Sequence, residues 1–76
     1  MNWLDILTTT KIKNCIDKGN TLRVFIGNTV IDIIPRYLND RYLIGRDVSS
    51  TSDVFEYHFR IENINAIGFL IQNKGE

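Results

Sequence analysis

Between positions 36 and 47 the chain reads RYLNDRYLIGRD, and Arg-Tyr-Leu occurs twice, five residues apart. Tyrosine and arginine this close together can stack on bases and hold phosphates, with Asp40 to orient an arginine. The plainer reading is two strands turning a corner. Asn39 and Asp40 both tolerate turn conformations. Tyr37 and Tyr42 would then be cross-strand packing partners, and Arg36 and Arg41 solvated charges.

Little else in the chain could do chemistry. There is one cysteine, Cys15, and one histidine, His58. They cannot make a four-ligand zinc site, and no disulfide can form within the chain. No serine, cysteine or second histidine accompanies His58 in the order of a nucleophile–base set. The acids show no paired spacing on one predicted surface, and there is no glycine-rich phosphate loop. These observations predict a protein that is not an enzyme and needs no metal or cofactor. Cys15 reads as a small apolar residue on a buried helix face, and its lone thiol fits a reducing, intracellular setting. His58 reads as facing solvent or an interface. Nine basic and nine acidic residues give a formal charge of zero. That argues against bulk electrostatic attachment to nucleic acid but leaves room for a small basic site. No apolar run reaches the roughly 18 residues of a membrane span, and the N-terminus lacks a signal-peptide layout.

These groups must be positioned by one small domain spanning residues 1–76. A chain this short buries only about 60% of its unfolded surface. With disulfide and metal set aside, a partner subunit is the remaining stabilising device. A helix is predicted over 2–18. Asn2 caps it, Asp5 completes a weak capping box, and Gly19 ends it. Leu4, Ile12 and Ile16 share one face, flanked by Leu7 and Cys15, with Trp3 as an anchor. Three β-branched residues, Thr8–Thr10, either interrupt this helix or leave it whole.

From Thr21 the period becomes two, and five short strands follow over 21–71. Gly27-Asn28 turns the first into the second. Pro35 marks an edge, a bulge or a bend. Asp32, in an apolar strand, either faces solvent or pairs with Arg23 or Arg36. The fourth strand alternates Phe55, Tyr57, Phe59 and Ile61 against Glu56, His58, Arg60 and Glu62. Residues 47–53 form a polar loop, and 72–76 a frayed tail. The expected fold is mainly β, a small five-stranded antiparallel SH3-like barrel with an N-terminal helix. The last strand, Ile64–Ile71, is apolar on both faces and predicts a neighbour. Together with the fourth strand it is expected to meet another copy, through Phe59, Ile61, Ile64, Ile67, Phe69 and Ile71.

In element order and length nearly the whole chain resembles the Sm/LSm family, which includes bacterial Hfq. Asp40-Arg41-Tyr42-Leu43-Ile44 matches the Asp, the aromatic and the Met-like position of the family's first motif, with Ile44 in place of its Asn. Arg60-Ile61-Glu62-Asn63-Ile64-Asn65-Ala66-Ile67 keeps the Arg and both apolar positions of the second, with Ile61 in place of its Gly. Among relatives the chain looks most like divergent Sm-like proteins of marine metagenomes attributed to cyanophages. The resemblance implies an Sm-like barrel that closes into a homo-oligomeric ring. It further implies binding of single-stranded nucleic acid, RNA before DNA, through Asp40, Arg41, Tyr42 and Arg60, in a chaperone or scaffold role. The charge balance and the two replaced motif residues favour a second expectation, a protein-interaction module or phage accessory protein on the same barrel.

Overall fold

The computed structural model describes residues 4–48 and 55–71. Its elements run α1 (Ile6–Lys18), β1 (Leu22–Ile26), β2 (Thr29–Leu38), β3 (Tyr42–Asp47), β4 (Glu56–Arg60), a 3-10 turn (Ile61–Asn63) and β5 (Ala66–Phe69). The expected class holds: mainly β, five antiparallel strands in one sheet with an N-terminal helix, a small barrel-like layout. The sheet order is β4-β3-β2-β1-β5. Asn2, Trp3, the tail and most of the polar loop lie outside the described residues.

Asp5, not Asn2, caps α1, accepting the Thr8 N–H at 2.8 Å. That moves the start of the helix toward the threonines. Thr8–Thr10 fall near its first turn, where Thr8 serves the cap, and the helix is continuous. At the other end Gly19 is left-handed at φ 69°. The Gly19 and Asn20 N–H groups donate to the Ile16 and Cys15 carbonyls, a Schellman closure. Ile12 is the buried residue of the helix. Leu4, Cys15 and Ile16 pack against the same core. Leu7, expected to flank that face, is 64% exposed. The helix lies mainly over β2 and reaches β5, where Lys11 Nζ stands 5.7 Å from the Phe69 ring centroid.

The core takes Ile12 from the helix, Leu22 and Val24 from β1, Ile33 from β2, Leu43 from β3, Phe59 from β4, and Ile64. Fully burying an aliphatic or aromatic side chain of this size contributes about 1.5–3 kcal/mol. Residues from both edge regions of the sheet therefore share one interior. Two features let β2 and β3 serve it. The register passes from Pro35↔Gly45 to Tyr37↔Ile44, which makes Arg36 the extra residue of a bulge. Gly45 leaves room for Ile33: a Cβ there would collide with Ile33 Cδ1 and lie 3.1 Å from its Cβ and Cγ1.

The 3-10 turn corrects the reading of the last strand. Ile61 still follows the alternation into the core at 1% exposure, and the turn then brings Ile64 to the same interior at 4%. β5 is only four residues long, and Ile67 and Phe69 pack half-buried against the core. Leu70 and Ile71, just past it, are exposed.

Candidate nucleic-acid interface

The repeated Arg-Tyr-Leu folds back on itself. Leu38 lies opposite Leu43, and both pack inward; Tyr37 and Tyr42 go to the outer face. The tyrosines are not the directly facing pair that the plain hairpin reading expects. Tyr37 faces Ile44, and Tyr42 faces Arg60 across the β3–β4 ladder. Asn39 builds the turn. Its side-chain oxygen accepts the N–H groups of Arg41 and Tyr42, each at 2.8 Å, and its own N–H donates to the Tyr42 carbonyl at 3.0 Å. This is an Asx turn with backbone closure.

The four residues expected to bind nucleic acid come together at one end of β3 and β4. Asp40 and Arg41 form the turn, Tyr42 opens β3, and Arg60 closes β4. The Ile61 N–H donates to the Arg41 carbonyl at 2.8 Å, tying the turn before β3 to the turn after β4. Arg60 pairs with Glu62, Nη2 to Oε2 at 2.6 Å, rather than with Asp40 as the expected orienting carboxylate. Both members of that pair are more than 60% exposed. At such exposure water and salt screen the attraction, and an anionic ligand can exchange for Glu62 at small cost. Tyr42 is 37% exposed, enough to present a ring face.

The same outer face carries residues that periodicity alone did not assign to the site. Ile44 faces His58 as well as Tyr37, so Tyr37, Ile44 and His58 make a row across three strands. His58 Nε2 lies 3.1 Å from Glu56 Oε1, and both side chains are exposed. Among the described residues, Arg36, Arg41 and Arg46 form no ion pair. The signal for this patch was the outward half of the alternation in β3 and β4. The bulge at Arg36 hid the matching half in β2.

The expected oligomer interface divides. The side chains of Phe59, Ile61 and Ile64 are buried within the protomer itself. Phe59 also stacks on Tyr57, with ring centroids 5.7 Å apart. Ile67 and Phe69 stay half-buried, and Ile71 is 84% exposed. β4 and β5 are the two edges of the sheet.

A second region lies on the outer side of β2, β1 and β5. Asp32 takes the first of its possible arginines. Arg23 Nε and Nη2 donate to its two oxygens at 2.7 and 3.1 Å, directly across the ladder. Hydrogen bonding to Arg23 holds the Asp32 carboxyl below the usual carboxylate range, and the same pairing raises the guanidinium. Beside this pair is a groove of about 400 Å³, walled by Phe25, Leu70 and Ile71 over Gly68. Asn65 braces this end, accepting the Gly27 N–H on its side-chain oxygen and donating its own N–H to the Phe25 carbonyl, each at 2.7 Å.

Burial pushes the Cys15 thiol up, which agrees with a packing role rather than a thiolate nucleophile. Among the described residues no group of three His, Cys, Asp or Glu side chains could hold a metal ion, and no helix is long and apolar enough to cross a membrane. Comparison of the chain with protein-family models, with curated proteins and with solved structures returned no match.

Proposed function

We propose that this chain is an Sm-like protomer that assembles through its β4 and β5 edges into a homo-oligomeric ring and binds single-stranded nucleic acid without catalysis. RNA is the expected ligand, in a chaperone or scaffold role. The observation that carries the reading is the register placing Tyr42 opposite Arg60, with the two turns joined by the Ile61–Arg41 hydrogen bond. An aromatic face beside a weakly held guanidinium suits a stacked base and its phosphate. Repetition around a ring gives a neutral protomer a locally basic rim. Two sheet edges, with exposed Leu70 and Ile71 beside one of them, support self-association.

Light scattering on the purified protein together with oligonucleotide titration tests this. The expected result is a single species of several protomers whose affinity for short single strands falls with salt, as released counterions require. Tyr42→Ala and Arg60→Ala should each weaken binding without changing the mass. A monomer, or unchanged affinity in both variants, overturns it.

The groove beside Phe25 favours the second reading, an interaction module for an apolar peptide segment. Affinity for extended peptides, lost on filling the groove and untouched by Tyr42→Ala, would support that reading over the first.

A further inference from the structure

We propose a second base-stacking position on the outer face of the sheet, formed by Tyr37 with Ile44 and His58, through which a single strand leaving the Tyr42–Arg60 rim continues across β3 and β2. This rests on the rim reading and names the path its ligand takes. Tyr37 is 53% exposed, and the register sets it beside Ile44, whose other neighbour is His58. Tyr42 lies two residues from Ile44 on the same face of β3, a spacing of about 6.8 Å along a strand. Two aromatic rings on neighbouring strands of one antiparallel face can hold consecutive unstacked bases, and stacking of this kind tolerates any sequence.

Charge selects the occupant. Four of the chain's five arginines, Arg36, Arg41, Arg46 and Arg60, belong to this half of the sheet or its turns. Arg36 stands out as the bulge residue next to Tyr37, and Arg46 lies in the next outward position of β3 beyond Ile44. The acids near them are Asp40, Asp47, Glu56 and Glu62; Asp47 accepts from the Tyr57 hydroxyl at 3.5 Å, and Glu56 and Glu62 are engaged with His58 and Arg60 in exposed pairs that a phosphate can displace. A polyanion with stackable faces matches arginines flanking tyrosines. An apolar peptide would meet unpaired guanidinium groups here, and it finds a better site in the groove on the other half.

The test uses fluorescein-labelled oligouridylate and oligothymidylate, of four and of twelve nucleotides, in anisotropy titrations with the full chain. Tyr37→Ala should weaken the twelve-mer by about five- to a hundredfold and leave the four-mer nearly unchanged, while Tyr37→Phe restores the twelve-mer. Tyr42→Ala should weaken both lengths. The two sugars separate RNA from DNA as the source of the shared chemistry. If Tyr37→Ala binds the twelve-mer as the wild type does while Tyr42→Ala loses it, the outer-face position is overturned and the rim stands. If the wild type binds neither length, rim and outer face fail together. Tyr37 is exposed, and an unchanged circular dichroism melt in Tyr37→Ala separates lost contact from lost fold.

Discussion

The two halves of the sheet's outer face are built from the same residue types to different ends. On β2, β1 and β5 a single arginine is locked to Asp32 by two hydrogen bonds in register, and apolar walls rise beside it. On β4, β3 and β2 the arginines are more numerous. Arg60 is held only by an exposed neighbour at a corner, and two tyrosines stand among them. A paired, geometrically fixed guanidinium has little left to offer an anion. A solvated or loosely paired one keeps its donors available. Net charge could not distinguish these halves, because it sums over both. Register decides which arginine is structural and which is free to bind.

The comparison is sharpest if one half can be damaged while the other stands. The shared interior forbids this for core changes. Phe59→Ala removes a ring that is 6% exposed and packed on Tyr57, and a cost of about 3–5 kcal/mol is expected. For a domain this small that approaches total stability, and chemical denaturation should show the midpoint collapse. Gly45→Ala acts on the same interior by overpacking Ile33, at about 1–3 kcal/mol. Because Gly45 pairs with both Pro35 and Tyr57, its substitution should loosen the arginine–tyrosine half first. Hydrogen exchange that instead opens β1 and β5 before β3 and β4 would contradict that order.

Much of this was legible in the chain, for reasons that differ by residue. The clean alternation from Glu56 to Arg60 gave β4 its faces, and Gly27-Asn28 and Asn39-Asp40 gave the turns. Both are local signals, written within a few residues. Proline marked the irregularity at position 35, although only pairing could show it to be a bulge. What stayed hidden depends on partners distant in sequence. Nothing near Gly45 announces that Ile33 needs its space. Ile64 read as the first residue of a last strand apolar on both faces, and nothing local shows that the 3-10 turn before it delivers its side chain to the core. The candidate site was half legible. Tyr42 and Arg60 came from motif positions and the alternation of β4 set His58 on the face of Arg60, whereas Tyr37 joined them only through the register.

Smaller effects test the separation of the halves directly. The rim reading expects Arg60→Ala to shorten the salt dependence of oligonucleotide binding by about 0.7 in the logarithmic slope for one lost single-strand phosphate contact. Gly68→Ala should do nothing to it. A Cβ at Gly68 meets Arg23 Cβ and Phe25 Cε2 at 3.4 Å, which begins to fill the groove floor without a collision. Stability should change by no more than about 0.5 kcal/mol, since contact is tight but a strand glycine is relieved of its entropic cost. A Gly68→Ala protein that loses oligonucleotide affinity would join the two halves into one surface.

The weakest effect concerns acid. Asp32 has a carboxyl lowered first by its hydrogen bonds to Arg23, against a smaller opposing cost of burial. Asp5 is lowered chiefly by the Thr8 N–H at the helix cap. A carboxyl that is more acidic folded than unfolded stabilises the fold at pH values above its unfolded pKa. That contribution declines as pH drops below the unfolded value toward the folded one, where the carboxylate finally takes its proton. Unfolding midpoints should therefore be flat near neutrality and fall below about pH 4, where carboxylates begin to protonate. Asp32→Asn should flatten part of that fall while lowering the plateau slightly, because a neutral amide cannot match the charged pair with Arg23. Both side chains are substantially exposed, so the change is small and should shrink further in high salt. Oligonucleotide affinity at neutral pH should not move in this variant. If it does, Arg23 is not the structural arginine its geometry makes it, and the distinction between the two halves fails at its clearest residue.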